Sequence, residues 1–513
     1  MNVSCLFMKA RKSFYSRCVT WLGSRTFFWI IVSLLVLQAG WIALTARYPQ
    51  AFDEQYHFGI SQLYTGQYSP FFTEHPDGAD QFSALTADPS FMYHYLLSFP
   101  LRWVMHATSS QTIQVIILRL LSVALFAWAL TLFRKLFLSI KVPPAITNVV
   151  LLFYVLTPVT PLLAAQINYD NLMIPLTVLS FIYAIRLLTT LREDGRFSAW
   201  DFMLFLVCGL LGATVKYPFL PILAGLVLIV VYGFWRRRAG LWQNVRQGYK
   251  SLSTAKKTAL GLLVALLIGM NLFTYGGNLL RYHTLAPSCD RVLSTEQCKH
   301  FLPWARDYQL VQEMDESPSL LSVVPYPGTW ISQMIRESVF TVSSAYDDDG
   351  TTVLYFVGEP LPVMKVLAWV VFVAGMVLSV YYWRRLWQNY PLRVFLLVGL
   401  FYAAALLAQN IEAYLRTGQP VAIHGRYLLP ILPMIYLSIA LCFSWLIRRF
   451  FREKSTVVSV WLFIIVLLAS LQGGGIVTYI IRSDDSWSWQ QSPAAIRLNA
   501  SARKALGPFV LGS

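Results

Sequence analysis

An acidic pair, Asp53 and Glu54, stands in the stretch Arg47-Tyr48-Pro49-Gln50-Ala51-Phe52-Asp53-Glu54-Gln55-Tyr56-His57, directly after the first long apolar run and past a proline that stops the helix. Carboxylates at a water-lipid boundary of an apolar chain are candidates for a general base that takes a proton from a hydroxyl nucleophile. The second carboxylate or His57 would orient that nucleophile or hold a metal. The same loop continues to Asp88-Pro89-Ser90-Phe91-Met92-Tyr93-His94-Tyr95, which adds Asp88 and His94. Two cations complement the acids. Lys216, in Lys216-Tyr217-Pro218 between two short apolar runs, needs a cavity or an anion such as phosphate if it is buried, and otherwise snorkels to the headgroups. Arg426, in His424-Gly425-Arg426-Tyr427, carries a guanidinium fork that matches phosphate oxygens. A lipid headgroup or a pair with Glu412 is the alternative.

Other polar residues serve shaping roles in this reading. In Asn168-Tyr169-Asp170-Asn171, either Asp170 or Asn171 suits the N-cap of the following helix, and Asn168 and Asp170 open on the same face as the acids. Asp347-Asp348-Asp349 could bind a divalent ion or form a solvated turn. A cation is therefore possible, and no metal ligand is assigned.

The elements that must position these groups follow from composition. In 513 residues, 56% are hydrophobic and only 13% charged, which excludes an ordinary soluble enzyme. Apolar runs of spanning length recur, without the alternation a transmembrane barrel needs, so the expected fold is an all-α polytopic bundle. About eleven spans are expected: 27–46, 112–133, 146–165, 172–190, 202–215, 219–235, 258–280, 363–383, 394–409, 427–447 and 457–480. Residues 91–106, interrupted by Pro100 and Arg102, suit a helix lying in the interface.

Charge sets the orientation. Of 41 Lys and Arg, 25 fall in six short segments between apolar runs, with few acids beside them. That bias places these segments in the cytoplasm, the N-terminus inside and the C-terminus outside. The net charge of +16 is thereby explained without nucleic acid. The expected organisation is a basic cytoplasmic tail (1–26), a transmembrane domain (27–480) with outward loops at 47–111 and 281–362, and an outward tail (481–513). The first apolar run is long enough for an uncleaved signal anchor. Cys289 and Cys298 share the large outward loop, where a disulfide and two free thiols are both open. In that loop Trp304, Tyr308, Tyr326 and Trp330 could stack on a sugar or sit on the lipid surface.

In their order and common sidedness, Asp53-Glu54-Gln55-Tyr56-His57, Asp88-Pro89-Ser90-Phe91-Met92-Tyr93, Asn168-Tyr169-Asp170, Lys216-Tyr217-Pro218 and His424-Gly425-Arg426-Tyr427 resemble the GT-C class of polytopic glycosyltransferases. That class includes the protein O-mannosyltransferases and the lipid A aminoarabinose transferases; the chain looks closest to bacterial membrane relatives with a Gly-Arg-Tyr motif. The resemblance implies an inverting glycosyltransferase in the bacterial cytoplasmic membrane with its site facing outward. It would use a polyprenyl-phosphate sugar donor and a cell-envelope acceptor, with Asp53 and Glu54 catalytic and Lys216 and Arg426 on the donor phosphate. His57, Asp88, His94, Asn168, Asp170, His424 and Tyr427 would shape the site. A transporter or flippase of lipid-linked sugars, or a non-catalytic assembly subunit, are the competing readings. The first predicts charges strung through the helices and internal symmetry, and no repeat is visible.

Overall fold

The computed structural model describes residues 14–50, 53–238, 240–314, 318–339, 342–346, 353–357 and 361–511. Phe52, Cys5 and the Asp347-Asp348-Asp349 run lie outside them. The architecture is a helical bundle, as expected from the apolar runs. Eight helical stretches are long and apolar enough to cross a membrane, the last of them, Leu432–Arg482, being several helices end to end. Pro144–Val155 and Ala199–Val215 are shorter apolar helices. Among the described residues the strands are one antiparallel hairpin in the large loop, Val342–Tyr346 against Val353–Val357, with Val342 opposite Val357.

Two departures from the expected spans, and one expected break, matter for the site. The run 146–165 is not one helix: Pro144–Val155 stops at Leu156, and a short helix, Val159–Ala164, restarts after Pro158. Proline cannot supply the N–H that would continue the ladder. The run 457–480 likewise divides into Ser455–Leu471 and Ile476–Arg482. Its break is Gly475, whose φ of +60° suits glycine and whose missing Cβ leaves room for Gln38 Oε1, 2.0 Å from where that carbon would stand. At Lys216 the chain leaves the Ala199–Val215 helix in extended conformation and re-enters through a one-turn 3-10 segment, Tyr217–Phe219, into Leu220–Arg236.

The buried core runs through the helices Arg25–Thr45, Gln111–Ser139 and Asp170–Glu193; the last has nearly three quarters of its apolar window buried. By contrast, the helix stretches Thr254–Tyr282 and Pro362–Tyr381 bury only 17% of theirs. They form the periphery, which in a membrane faces lipid. The helix Met92–Ala107 is two-faced: Tyr93, His94, Leu97 and Leu101 are buried, whereas Leu96, Phe99, Trp103 and Met105 are exposed. Arg102 holds it to the preceding loop through the carbonyls of Tyr64 and Gln67.

Candidate functional site

The helix Glu54–Thr65 begins at Asp53, whose left-handed backbone (φ 67°) turns the chain sharply into it. Neighbouring residues on a helix point about 100° apart, so the two acids take different surroundings. Glu54 points inward and is fully buried. Its Oε1 accepts from Arg119 Nε at 2.8 Å and from the Ile167 N–H at 3.2 Å; its Oε2 accepts from Arg119 Nη2 at 2.6 Å and from the Gln50 N–H at 2.9 Å. Arg119, itself fully buried, also donates to the carbonyls of Ala43, Ala46 and Arg47. The expectation of a catalytic Glu54 is therefore corrected. Its lone pairs are committed to holding the 43–50 turn, the Gln111–Ser139 helix and Ile167 together.

Asp53 points the other way. Its side chain is 52% exposed, and Oδ2 accepts from Arg426 Nη2 at 2.9 Å, while Arg426 is only 3% exposed. Burial among surrounding groups pushes the Asp53 pKa up. The Arg426 guanidinium, with His424 and Lys216 beyond it, outweighs this and holds the carboxyl below its ordinary value. Arg426 thus pairs with Asp53 and not with Glu412. Its 3-10 turn, Gly425–Leu428, fits against the Tyr326–Val339 helix because residue 425 is glycine: a Cβ there would lie 2.5 Å from the Ser338 backbone nitrogen. His424 Nδ1 lies 3.7 Å from buried Glu337, a neighbour supplied by the large loop that no local motif announces. The Tyr427 carbonyl accepts from Tyr402 at 2.9 Å.

Behind this pair stands a second. Lys216 Nζ meets Asp170 Oδ1 at 2.6 Å, both side chains being 1% exposed. The ammonium lies over the rings of Tyr169 and Tyr427, 4.4 and 4.7 Å from their centroids. Snorkelling does not describe it, because Asp170 holds the ammonium at depth. Asp170 is not the capping group either; Asn168 Oδ1 accepts the Asp170 N–H at 2.9 Å, and Asn171 Nδ2 donates to the Leu163 and Gln166 carbonyls. Ser90 Oγ accepts the Tyr217 N–H at 3.0 Å, fastening the first outward loop beside Lys216.

His57 Nδ1 and His94 Nε2 are 2.9 Å apart, both rings buried, and the His57 ring meets Tyr169 edge-on at 4.3 Å. Burial lowers both pKa values, His94 to about 3 and His57 well below its ordinary value, where the neighbouring His94 adds to the effect. In the neutral form that burial favours, one nitrogen of the pair donates and the other accepts, according to the tautomers. The structure therefore brings Asp53, Lys216, Arg426, His57, His94, Asn168, Asp170, His424 and Tyr427 into one neighbourhood. The donor set does not match a divalent ion: the carboxylates face cations and the imidazoles face each other. Among the described residues no three His, Cys, Asp or Glu side chains gather around one point.

Asp88 sits at the edge of this neighbourhood, its Oδ1 accepting the Ser90 N–H at 2.8 Å. Burial raises its carboxyl from 3.8 to about 6, against the opposing Ser90 bond. A carboxyl whose pKa rises on folding favours the native state below pH 4 and loses that advantage as pH climbs through about 6. Asp88→Asn keeps the bond to Ser90 and should raise thermal stability at pH 8 by about 1–3 kcal/mol, the two proteins converging near pH 4. Unfolding temperatures in detergent that coincide at pH 8 would refute it.

The large loop closes with a Cys289–Cys298 disulfide. Tyr326 and Trp330 prove to be buried, bonded to the carbonyl and side chain of Asn410, so they are packing residues rather than sugar platforms. Trp304 and Tyr308 stack on each other at 4.8 Å.

No family model and no curated protein matches the chain. Its fold is similar to that of the Archaeoglobus fulgidus oligosaccharyltransferase, solved with an acceptor peptide containing the NVT sequon tethered through a disulfide bond. The TM-score is 0.44 and the identity 13%, over 94% of this chain and 59% of that one. This chain thus spans less than two thirds of that enzyme's length, and the likeness is one of fold alone.

Proposed function

We propose that the chain is a membrane glycosyltransferase of the GT-C class. In this reading it moves a sugar from a polyprenyl-phosphate donor to a hydroxyl of a cell-envelope glycan, lipid or protein, on the outer face of a bacterial cytoplasmic membrane. The observation that carries it is the Asp53–Arg426 pair, a half-exposed carboxylate held at 2.9 Å by a buried guanidinium, with Lys216 close enough to act on the same carboxylate.

The chemistry follows from that pairing. A donor phosphate arriving at Arg426 competes with Asp53 for the guanidinium. Losing its counter-charge makes Asp53 a stronger base at the moment an acceptor hydroxyl is beside it. The acceptor oxygen bonds to the anomeric carbon as its proton passes to Asp53. The bond from that carbon to the phosphate oxygen breaks, its electron pair leaving on polyprenyl phosphate, with inversion. Arg426 and, from behind Tyr427, Lys216 stabilise the departing anion. Asp53 then yields its proton to water. Glu54 has no part in proton transfer, and no step is routed through a metal. The charge bias of the loops and the disulfide in the large loop support an outward, oxidising location for this end of the bundle.

The full chain in nanodiscs, given a polyprenyl-phosphate sugar and membrane-extracted acceptor, should release polyprenyl phosphate. Arg426→Gln should slow that release by about a hundredfold. Undiminished release by the variant, or movement of the sugar lipid across the bilayer without release, would overturn the reading.

A further inference from the structure

At the other end of the bundle a cavity of about 200 Å³ opens between four helices, Pro144–Val155 among them. Its lining includes the turn after Gln111–Ser139, the start of Tyr390–Thr417 and the last turns of Leu432–Phe451. Lys141 lies 22 residues beyond Arg119 along nearly continuous helix, roughly 33 Å at the helical rise, so this cavity is remote from Asp53. The charge bias assigns this end to the cytoplasm.

We infer that this cavity binds the phosphate headgroup of an anionic glycerophospholipid of the cytoplasmic leaflet. Two cations, Lys141 and Arg448, line it, and no carboxylate does. Lys141 is held there by its left-handed backbone (φ 64°), closed by hydrogen bonds from Lys141 to Leu138 and from Val142 to Phe137. Ser444 adds a hydroxyl. Asn389 uses its side-chain oxygen to cap the Leu392 N–H at 3.2 Å, which leaves its amide N–H groups as donors at the rim. The remaining walls are apolar, from Ile140, Val142, Ile146, Leu392 and Leu441. Trp445 stands among them with Arg385 5.9 Å over its ring, an arrangement suited to the headgroup level. Cations at the mouth and an apolar wall beneath match a lipid, whose phosphate and acyl chain lie in that order. A soluble phosphate would use only the upper half. Basic pockets between helices on the cytoplasmic side bind anionic headgroups for this reason.

Native mass spectrometry of the full chain tests it, with phosphatidylglycerol, phosphatidylcholine and glycerol 3-phosphate as probes. One phosphatidylglycerol should be retained in preference to phosphatidylcholine and resist displacement by glycerol 3-phosphate. The Lys141→Gln/Arg448→Gln variant should hold it about thirtyfold more weakly. Both side chains are exposed, and the charge-keeping Lys141→Arg/Arg448→Lys variant should bind as the parent does, which separates lost charge from lost fold. Equal retention of phosphatidylglycerol by parent and charge-removed protein, or no preference over phosphatidylcholine, would overturn the inference. Displacement by glycerol 3-phosphate would overturn it too, by making the cavity a site for soluble phosphate.

Discussion

Replacing Asp53 with Asn should lower the release of polyprenyl phosphate by about a thousandfold, the range expected when a general base is removed, in a protein that still folds. The amide keeps the shape of the carboxylate and still offers an oxygen to Arg426, but it cannot take a proton. Asp53 is itself half exposed, but its charge answers the buried Arg426 guanidinium, so Asp53→Asn should lower the unfolding temperature somewhat, and activity is compared at a temperature where both proteins are folded. A variant that folds and retains full activity would remove the base from the mechanism. The pH profile gives a second readout. Arg426 lies beside Asp53 and opposes the upward push of burial, so the parent's acid limb should fall below the ordinary carboxylate range. Arg426→Gln should move that limb to higher pH, because without the guanidinium the carboxylate protonates more readily.

Arg119→Met should be the most destabilising single change, by about 3–5 kcal/mol, because it leaves the buried Glu54 carboxylate without its counter-charge. Glu54→Leu should cost a similar amount for the mirror reason. The double variant Glu54→Leu/Arg119→Met should recover part of the loss. It removes both buried charges but abandons the Ala43, Ala46 and Arg47 carbonyls that Arg119 serves. Thermal unfolding of the four proteins closes the cycle. Additive losses would show that the two side chains act independently and that the fork at 2.6 and 2.8 Å is not an energetic unit.

The helices were legible because bilayer-length apolar runs admit few alternatives; Asp53 stood out as a carboxylate directly after a helix end, and Arg426 as a cation on the side the other cations avoid. Glu54 was misread for a local reason. Adjacency in sequence was taken as adjacency in function, whereas consecutive helical positions diverge, one toward the opening and the other toward Arg119. That arginine was itself visible as a lone charge within the apolar run 112–133, and a buried charge demands a partner. Lys216 raised the same demand, but nothing within its own segment indicates that Asp170 meets it from 46 residues away. Glu337 could not be foreseen at all. It reaches His424 only because Gly425 lets two backbones approach, a requirement set by tertiary packing. The breaks at Pro158 and Gly475 were written in the residues, yet hydropathy counts apolar content and is blind to a missing N–H or a positive φ.

Residues 487–499 are woven into the end of the helix Arg25–Thr45 and the turn that follows it. Ala46 bridges to Ser488, the Arg47 and Trp489 N–H groups bond to the Trp487 and Thr45 carbonyls, and Trp41 reaches Asn499. Trp489 lies against Arg119, 5.8 Å from ring to guanidinium. The turn that aims Asp53 is therefore backed by residues the ribosome adds more than 430 positions later. During biogenesis the helix Arg25–Thr45 must enter the bilayer and wait, its outer rim unfinished, until residues 487–499 have been made. A nascent chain halted before residue 487 would be inserted with the turn at Asp53 still unsupported.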